Sequence, residues 1–121
     1  MSKPKILLAE DDATMVSLLK TLLKMEGFEV VALQADANVP AAVRNEKPDV
    51  ILLDVHLGPQ NGLDILDSIR SSPDTSATRV VMSSGSNVKE DCIHRGAFGF
   101  LLKPYMPDEL IKLLKQAIKS S

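Results

Sequence analysis

The sequence predicts an α/β fold: a doubly wound, five-stranded parallel sheet with helices on both faces. Short apolar runs alternate with longer segments of helical period along the whole chain. Strands that read as continuous apolar runs belong to a sheet covered on both sides. At 121 residues the chain suits one domain that can bury a core without disulfides or metal staples. No internal repeat, low-complexity tract or Pro/Gly-rich linker interrupts it, so residues 1–121 are expected to form a single domain.

The first strand is expected over Lys5–Ala9. In "DATMVSLLKTLLKMEG", Met15, Leu18, Leu19, Leu22 and Met25 recur at helical spacing, with Asp12 able to cap the start and Gly27 the end. A second strand, Glu29–Leu33, leads into "NVPAAVRNEK", where Asn38 is the expected N-cap and Pro40 falls in the first turn, where its missing N–H does no harm. The third strand is expected over Asp49–Leu53. The helix after it, "GLDILDSIRSSPD", places Leu63, Leu66 and Ile69 on one face before Ser and Pro end it. Strands at Arg79–Ser83 and Phe98–Leu102 follow. The last helix, "PDELIKLLKQAIKSS", carries Leu110, Leu113, Leu114, Ala117 and Ile118 and is expected to reach the C-terminus.

Composition removes several function classes. With 14 basic and 16 acidic residues the formal net charge is -2, and aromatics make up 3%. There is no electrostatic case for nucleic acid or an anionic membrane and little material for stacking on bases. Any DNA binding would have to come from another domain. The apolar run in "MSKPKILLAEDD" is too short for a signal peptide or a membrane span, so the protein is expected to be cytoplasmic. Cys92 is the lone cysteine, which fits a reducing compartment and a small, partly buried filler. No G-x-G-x-x-G or P-loop follows the first strand, which argues against nucleotide binding.

An open parallel sheet binds its ligands beyond the carboxyl ends of its strands. Glu10, Asp11 and Asp12 follow the first strand, Asp54 the third, Ser83, Ser84 and Gly85 the fourth, and Lys103 and Pro104 the fifth. If the first and third strands are neighbours, Glu10, Asp11 and Asp54 converge and repel one another unless a cation sits among them. Mg²⁺ is the natural hard ion for oxygen ligands. An exposed Asp54 at such a metal can attack a phosphoryl group, Lys103 can neutralise its oxygens, and Ser84 can offer a hydroxyl, with Gly85 leaving room for the group to approach. Taken singly, Glu10 and Asp11 could be helix caps, Asp54 a turn former, and Lys103 and Ser84 ordinary loop residues. Their joint placement at the strand ends favours the site. His56 either rims it or is solvated, and His94 reads as surface.

Together "ILLAEDD", "VILLDVHLGPQNG", "VVMSSGS" and "FLLKPYMPDEL" resemble the receiver domain of bacterial two-component response regulators, the chemotaxis-regulator-like superfamily. The resemblance implies a flavodoxin-like (βα)5 fold with strand order 2-1-3-4-5. It implies Asp54 as phosphoacceptor and Mg²⁺ or Mn²⁺ held by Glu10, Asp11, Asp54 and the backbone carbonyl of His56. Ser84 matches the switch hydroxyl, Phe100 the switch aromatic, and Lys103 the family lysine before a cis-proline, Pro104. The implied phosphoryl source is a histidine kinase or phosphotransfer protein, and the implied output is an effector domain or a homodimer. Such a domain is a switch more than an enzyme, catalysing only its own phosphorylation and slow autodephosphorylation.

Four departures stand out. Glu10 replaces the more frequent Asp, and Gly58 stands where a proline is common, with Pro59 one place later. The segment from Ser84 to Lys103 is about three residues shorter than the family norm, close to one helical turn, which predicts a shortened fourth helix. Met106 precedes Pro107 where a polar N-cap is expected, and reads as a packed staple or a partner contact. Two other function classes compete: a receiver-like interaction module that is never phosphorylated, and a metal-dependent phosphohydrolase. The second typically carries another Asp two places after its nucleophile, where this chain has His56.

Overall fold

A computed structural model describes residues 3–119. Five strands, β1 (Lys5–Ala9), β2 (Glu29–Leu33), β3 (Val50–Asp54), β4 (Arg79–Ser84) and β5 (Gly99–Leu102), form one parallel sheet. Their order is β2-β1-β3-β4-β5, which is the expected one. The connecting helices are α1 (Ala13–Met25), α2 (Val39–Glu46), α3 (Gly62–Ser71), α4 (Lys89–His94) and α5 (Pro107–Lys119). Ser120 and Ser121, which the periodicity assigns to the last helix, lie outside the described residues.

Alternation along the central strands feeds two separate cores. Leu7, Ile51, Leu53, Val80 and Met82 pack with Val39, Val43, Leu66, Ile69 and Cys92 from α2, α3 and α4. Ile6, Leu8, Val50, Leu52 and Val81 point the other way, to Leu19, Leu23, Leu110 and Leu114 of α1 and α5. Each central strand buries both faces, which is why it reads as an unbroken apolar run. Cys92 is a filler of the core but is fully buried, not partly, because α4 lays it against the sheet.

Strand boundaries differ from the expected ones by one residue. Asp49 falls just before β3, its carboxylate accepting the Lys5 N–H at 2.7 Å while its own N–H donates to Lys5 O at 2.8 Å. Asp54 joins the ladder instead, opposite Ser83, and Ser84 pairs with Leu102 at the end of β4. Phe98 falls just before β5, although its N–H donates to Val80 O at 2.8 Å. A two-residue hairpin, His56–Leu57 against Gln60–Asn61, was not legible as strand because two residues carry no period.

The caps follow the sequence closely. Asp12 accepts the N–H groups of Thr14 and Met15, and Asn38 accepts that of Ala41. Asn61 caps α3 by accepting the Leu63 N–H at 2.9 Å. Leu18 and Met25, counted in the apolar stripe of α1, are 60% and 81% exposed, and the helix packs on the sheet through Met15, Leu19, Leu22 and Leu23 instead. Met106 is 64% exposed and forms no packed staple. Glu109 supplies the missing cap from inside α5, its carboxylate accepting the Met106 N–H at 3.3 Å.

The fourth helix is indeed short, six residues without a side-chain N-cap. Cross-links hold it in place. Arg95 bonds Asp91 of α4 at 2.8 Å and Asp67 of α3 at 2.7 Å. Arg70 of α3 donates to the carbonyls of Gly96, Ser76 and Thr78.

Gly62 is where α3 meets the end of β3. A Cβ there would collide with the Asp54 carbonyl oxygen and come within 2.8 Å of the Val55 Cα. Its N–H donates to Val55 O at 2.6 Å. Because both neighbours are backbone, they cannot rotate away. Gly62→Ala is expected to destabilise the fold by about 1–3 kcal/mol, read as a lower urea midpoint at unchanged m-value.

Candidate functional site

Three strand ends deliver the polar groups to one edge of the sheet. Glu10 follows β1, Asp54 ends β3, and Lys103 follows β5. The Lys103 ammonium donates to Glu10 Oε1 at 2.7 Å and to Asp54 Oδ2 at 2.8 Å. Both carboxylates are nearly closed off from solvent, Glu10 at 5% and Asp54 at 6% exposure. Asp54 is thus less open than the exposed nucleophile the sequence suggested, because Lys103 and the neighbouring strand ends cover it.

The backbone holds the remaining oxygens. Glu10 Oε2 accepts the N–H groups of Asp11 and Asp12 at 3.0 and 3.2 Å. Asp54 Oδ1 accepts the His56 N–H at 3.3 Å. Asp11 is exposed, and its Oδ2 accepts the Gly58 N–H at 2.9 Å. One carboxylate oxygen from each of Glu10, Asp11 and Asp54 lies within 4.8 Å of the others.

The charges perturb one another. Burial pushes the Glu10 carboxyl above its ordinary pKa, the charge of Asp54 adds to this, and the bonds from Lys103 and the Asp12 N–H pull back without overcoming it. Burial disfavours the Lys103 ammonium, yet its bonds to Asp54 and Glu10 outweigh that and raise its pKa. The Gly58 N–H holds Asp11 below the usual carboxylate range. Three carboxylates facing one ammonium leave an excess of negative charge on hard oxygen donors. That donor set fits a small divalent cation such as Mg²⁺.

Ser84 lies at the end of β4 and is buried, its Oγ accepting the Ser86 N–H at 3.1 Å. Phe100, on β5, is half-buried against the core on the α2–α4 side. The Lys103–Pro104 peptide bond is cis. His56 and His94 have exposed side chains. Tyr105 was not singled out by sequence. Its hydroxyl is buried with no hydrogen-bond partner, and burial pushes its pKa up to about 12, with Lys103, Glu10 and Asp54 all acting on it electrostatically. The apolar environment of a residue two places after the lysine leaves no mark in the sequence.

A family model for the response regulator receiver domain matches residues 6–115. The chain belongs to that family. Among curated relatives of this receiver domain, the transcriptional regulatory protein CpxR of Klebsiella pneumoniae is 35% identical over 120 residues, which cover 97% of this chain and 50% of that protein. The DNA-binding response regulator MtrA of Mycobacterium leprae is 28% identical, over 97% of this chain and 52% of its own length. The chain therefore spans about half the length of the curated relatives it matches. The fold matches the chemotaxis response regulator CheY4 of Vibrio cholerae with a TM-score of 0.86 at 24% identity, covering 96% and 99% of the two chains. It also matches the receiver domain of the sensor histidine kinase PA1611 from Pseudomonas aeruginosa, with a TM-score of 0.87 at 21% identity over 98% and 99%. That structure has a magnesium ion coordinated in its active-site cleft.

Removing the ammonium should expose the cost of the carboxylates. Lys103→Met is expected to lose about 3 kcal/mol of stability at pH 7, since it leaves Glu10 and Asp54 buried and unpaired. Glu10 already has a folded pKa above its unfolded one, so its protonated form favours folding, and the variant raises that pKa further. The deficit should therefore be smaller at pH 5 than at pH 7, and Asp54→Asn in the same background should recover part of it. Urea titrations at both pH values measure all three effects.

Proposed function

We propose that this receiver domain is a phosphorylation switch that accepts a phosphoryl group on Asp54. The observation that carries the reading is Lys103 bonded to both Asp54 and Glu10 beside Asp11, a cation already placed at the proposed attacking oxygen. Glu10, Asp11, Asp54 and the His56 backbone carbonyl would hold Mg²⁺ or Mn²⁺. When bound, the ion supplies charge neutralisation for the phosphoryl oxygens.

The phosphoryl source is a phosphohistidine on a histidine kinase or phosphotransfer protein. A carboxylate oxygen of Asp54 forms the new O–P bond as the N–P bond of the donor breaks, and the donor imidazole leaves with the electron pair. Lys103 shifts its hydrogen bond from the free carboxylate to the phosphoryl group. Because the Ser84 oxygen accepts the Ser86 N–H, the hydroxyl proton of Ser84 remains available to donate to a phosphoryl oxygen. That contact would move the end of β4, and Phe100 would respond on the adjoining strand. Slow attack by water on the acyl phosphate returns the domain to its starting state, so the protein acts as a switch and not as a turnover enzyme.

The curated relatives extend to about twice this length and are named as DNA-binding or transcriptional regulators. Output through an effector domain or a second copy of the chain fits that pattern. The domain itself, with net charge -2 and 3% aromatics, is not the DNA-binding part. Among the described residues no helix is long and apolar enough to cross a membrane, and a cytoplasmic location agrees with a kinase partner there.

Incubation with Mg²⁺ and a small acyl-phosphate donor, followed by intact-mass spectrometry, tests this directly. The expected result is a single phosphoryl adduct that is lost in EDTA and in Asp54→Asn. Mg²⁺ at a hundredfold excess over its Kd should add about 2.7 kcal/mol to wild-type stability. An unmodified wild type with no stabilisation by Mg²⁺ would instead support an interaction module that is never phosphorylated.

A further inference from the structure

The turn between the short strands His56–Leu57 and Gln60–Asn61 consists of Gly58 and Pro59. It makes two independent attachments. On one side, the Gly58 N–H reaches back across 47 residues of sequence to Asp11 Oδ2, at 2.9 Å. On the other, Gln60 Nε2 donates to Ala35 O at 2.8 Å and to Ala37 O at 2.9 Å, in the loop after β2. Gly58 itself lies against that loop: with φ at +56°, an added Cβ would stand 2.8 Å from the Ala35 Cβ. The turn is pinned from behind and presents one backbone donor forward.

A carboxylate with one oxygen fixed has its plane constrained, and the second oxygen is placed as a result. Asp11 is exposed and has no strand to hold it, since β1 ends at Ala9. The Gly58 donor is the backbone contact that orients its carboxylate. A proline at position 58 has no N–H and could not make this bond. Outer groups that orient a metal-binding carboxylate are worth about 10–100-fold in metal affinity.

We propose that Gln60 is a positioning residue for Asp11: by clamping the Gly58–Pro59 turn onto the loop after β2, it keeps the Gly58 N–H on Asp11 and so sets the affinity for the divalent cation. This rests on the reading of Asp11 as a metal ligand. Gln60 touches neither the cation nor the phosphoryl group and acts only through the turn.

The test is a Mg²⁺ titration followed by two-dimensional amide NMR on wild type, Gln60→Leu and Thr75→Val. Thr75 is a buried hydroxyl bonded to Ile69 O, away from the turn, so its variant controls for lost stability alone. Gln60→Leu is expected to raise the Mg²⁺ Kd about tenfold and to abolish hydrogen-exchange protection at the Gly58 amide, while Thr75→Val binds Mg²⁺ as wild type does. Equal Kd values for Gln60→Leu and wild type would overturn the clamp and leave the metal reading standing. A wild type that binds no Mg²⁺ would overturn both. Should Gln60→Leu fail to fold, the wild-type Gly58 amide decides: protection with a shift on adding Mg²⁺ supports the clamp, and exchange as fast as an open loop overturns it.

Discussion

A single ammonium group makes the carboxyl edge of this sheet tenable. Glu10 and Asp54 are both nearly buried, and two such carboxylates side by side would repel and seek protons. Lys103 stands between them at 2.7 and 2.8 Å and supplies the charge each lacks. It reaches them because three parallel pairings, β1 with β3, β3 with β4 and β4 with β5, bring those strand ends to one edge. The pair is weak evidence for stability as such, since desolvation consumes much of the attraction. Its value lies in orienting the Asp54 carboxylate at a site nearly closed to solvent.

The scaffold around that contact is stiff where the chemistry needs it and tied down where helices are short. Two cores, one on each face, fix the strands from both sides. The six-residue α4 cannot hold itself by propensity and packing area alone. Arg95 and Arg70 lash it and the following loop to α3 and to the start of β4.

Much of this was legible from residues alone, for identifiable reasons. Strand positions followed from unbroken apolar runs, as a sheet buried on both faces produces, whereas strand order followed from the resemblance to the receiver family. Asp12 and Asn38 announced their helices because short polar side chains satisfy the free N–H groups of a first turn. Glu10, Asp54 and Lys103 could be brought together on paper because parallel topology places every strand end at one edge. What escaped was set by tertiary contact. The burial of Asp54 depends on Lys103 lying over it, the cap on α5 comes from Glu109 and not from the residue before the helix, and the clamp at Gln60 joins positions 25 residues apart that share no pattern.

Tyr105 gives the molecule an unplanned instrument. The chain contains no tryptophan and no other tyrosine. This one phenol has its hydroxyl buried without a hydrogen-bond partner and within the electrostatic reach of Lys103, Glu10 and Asp54. Beside three weakly absorbing phenylalanines, the tyrosine absorption and emission come from a single known position. The ring thus lies where the charges of Lys103, Glu10 and Asp54 act on it, and its signal can be read without a label.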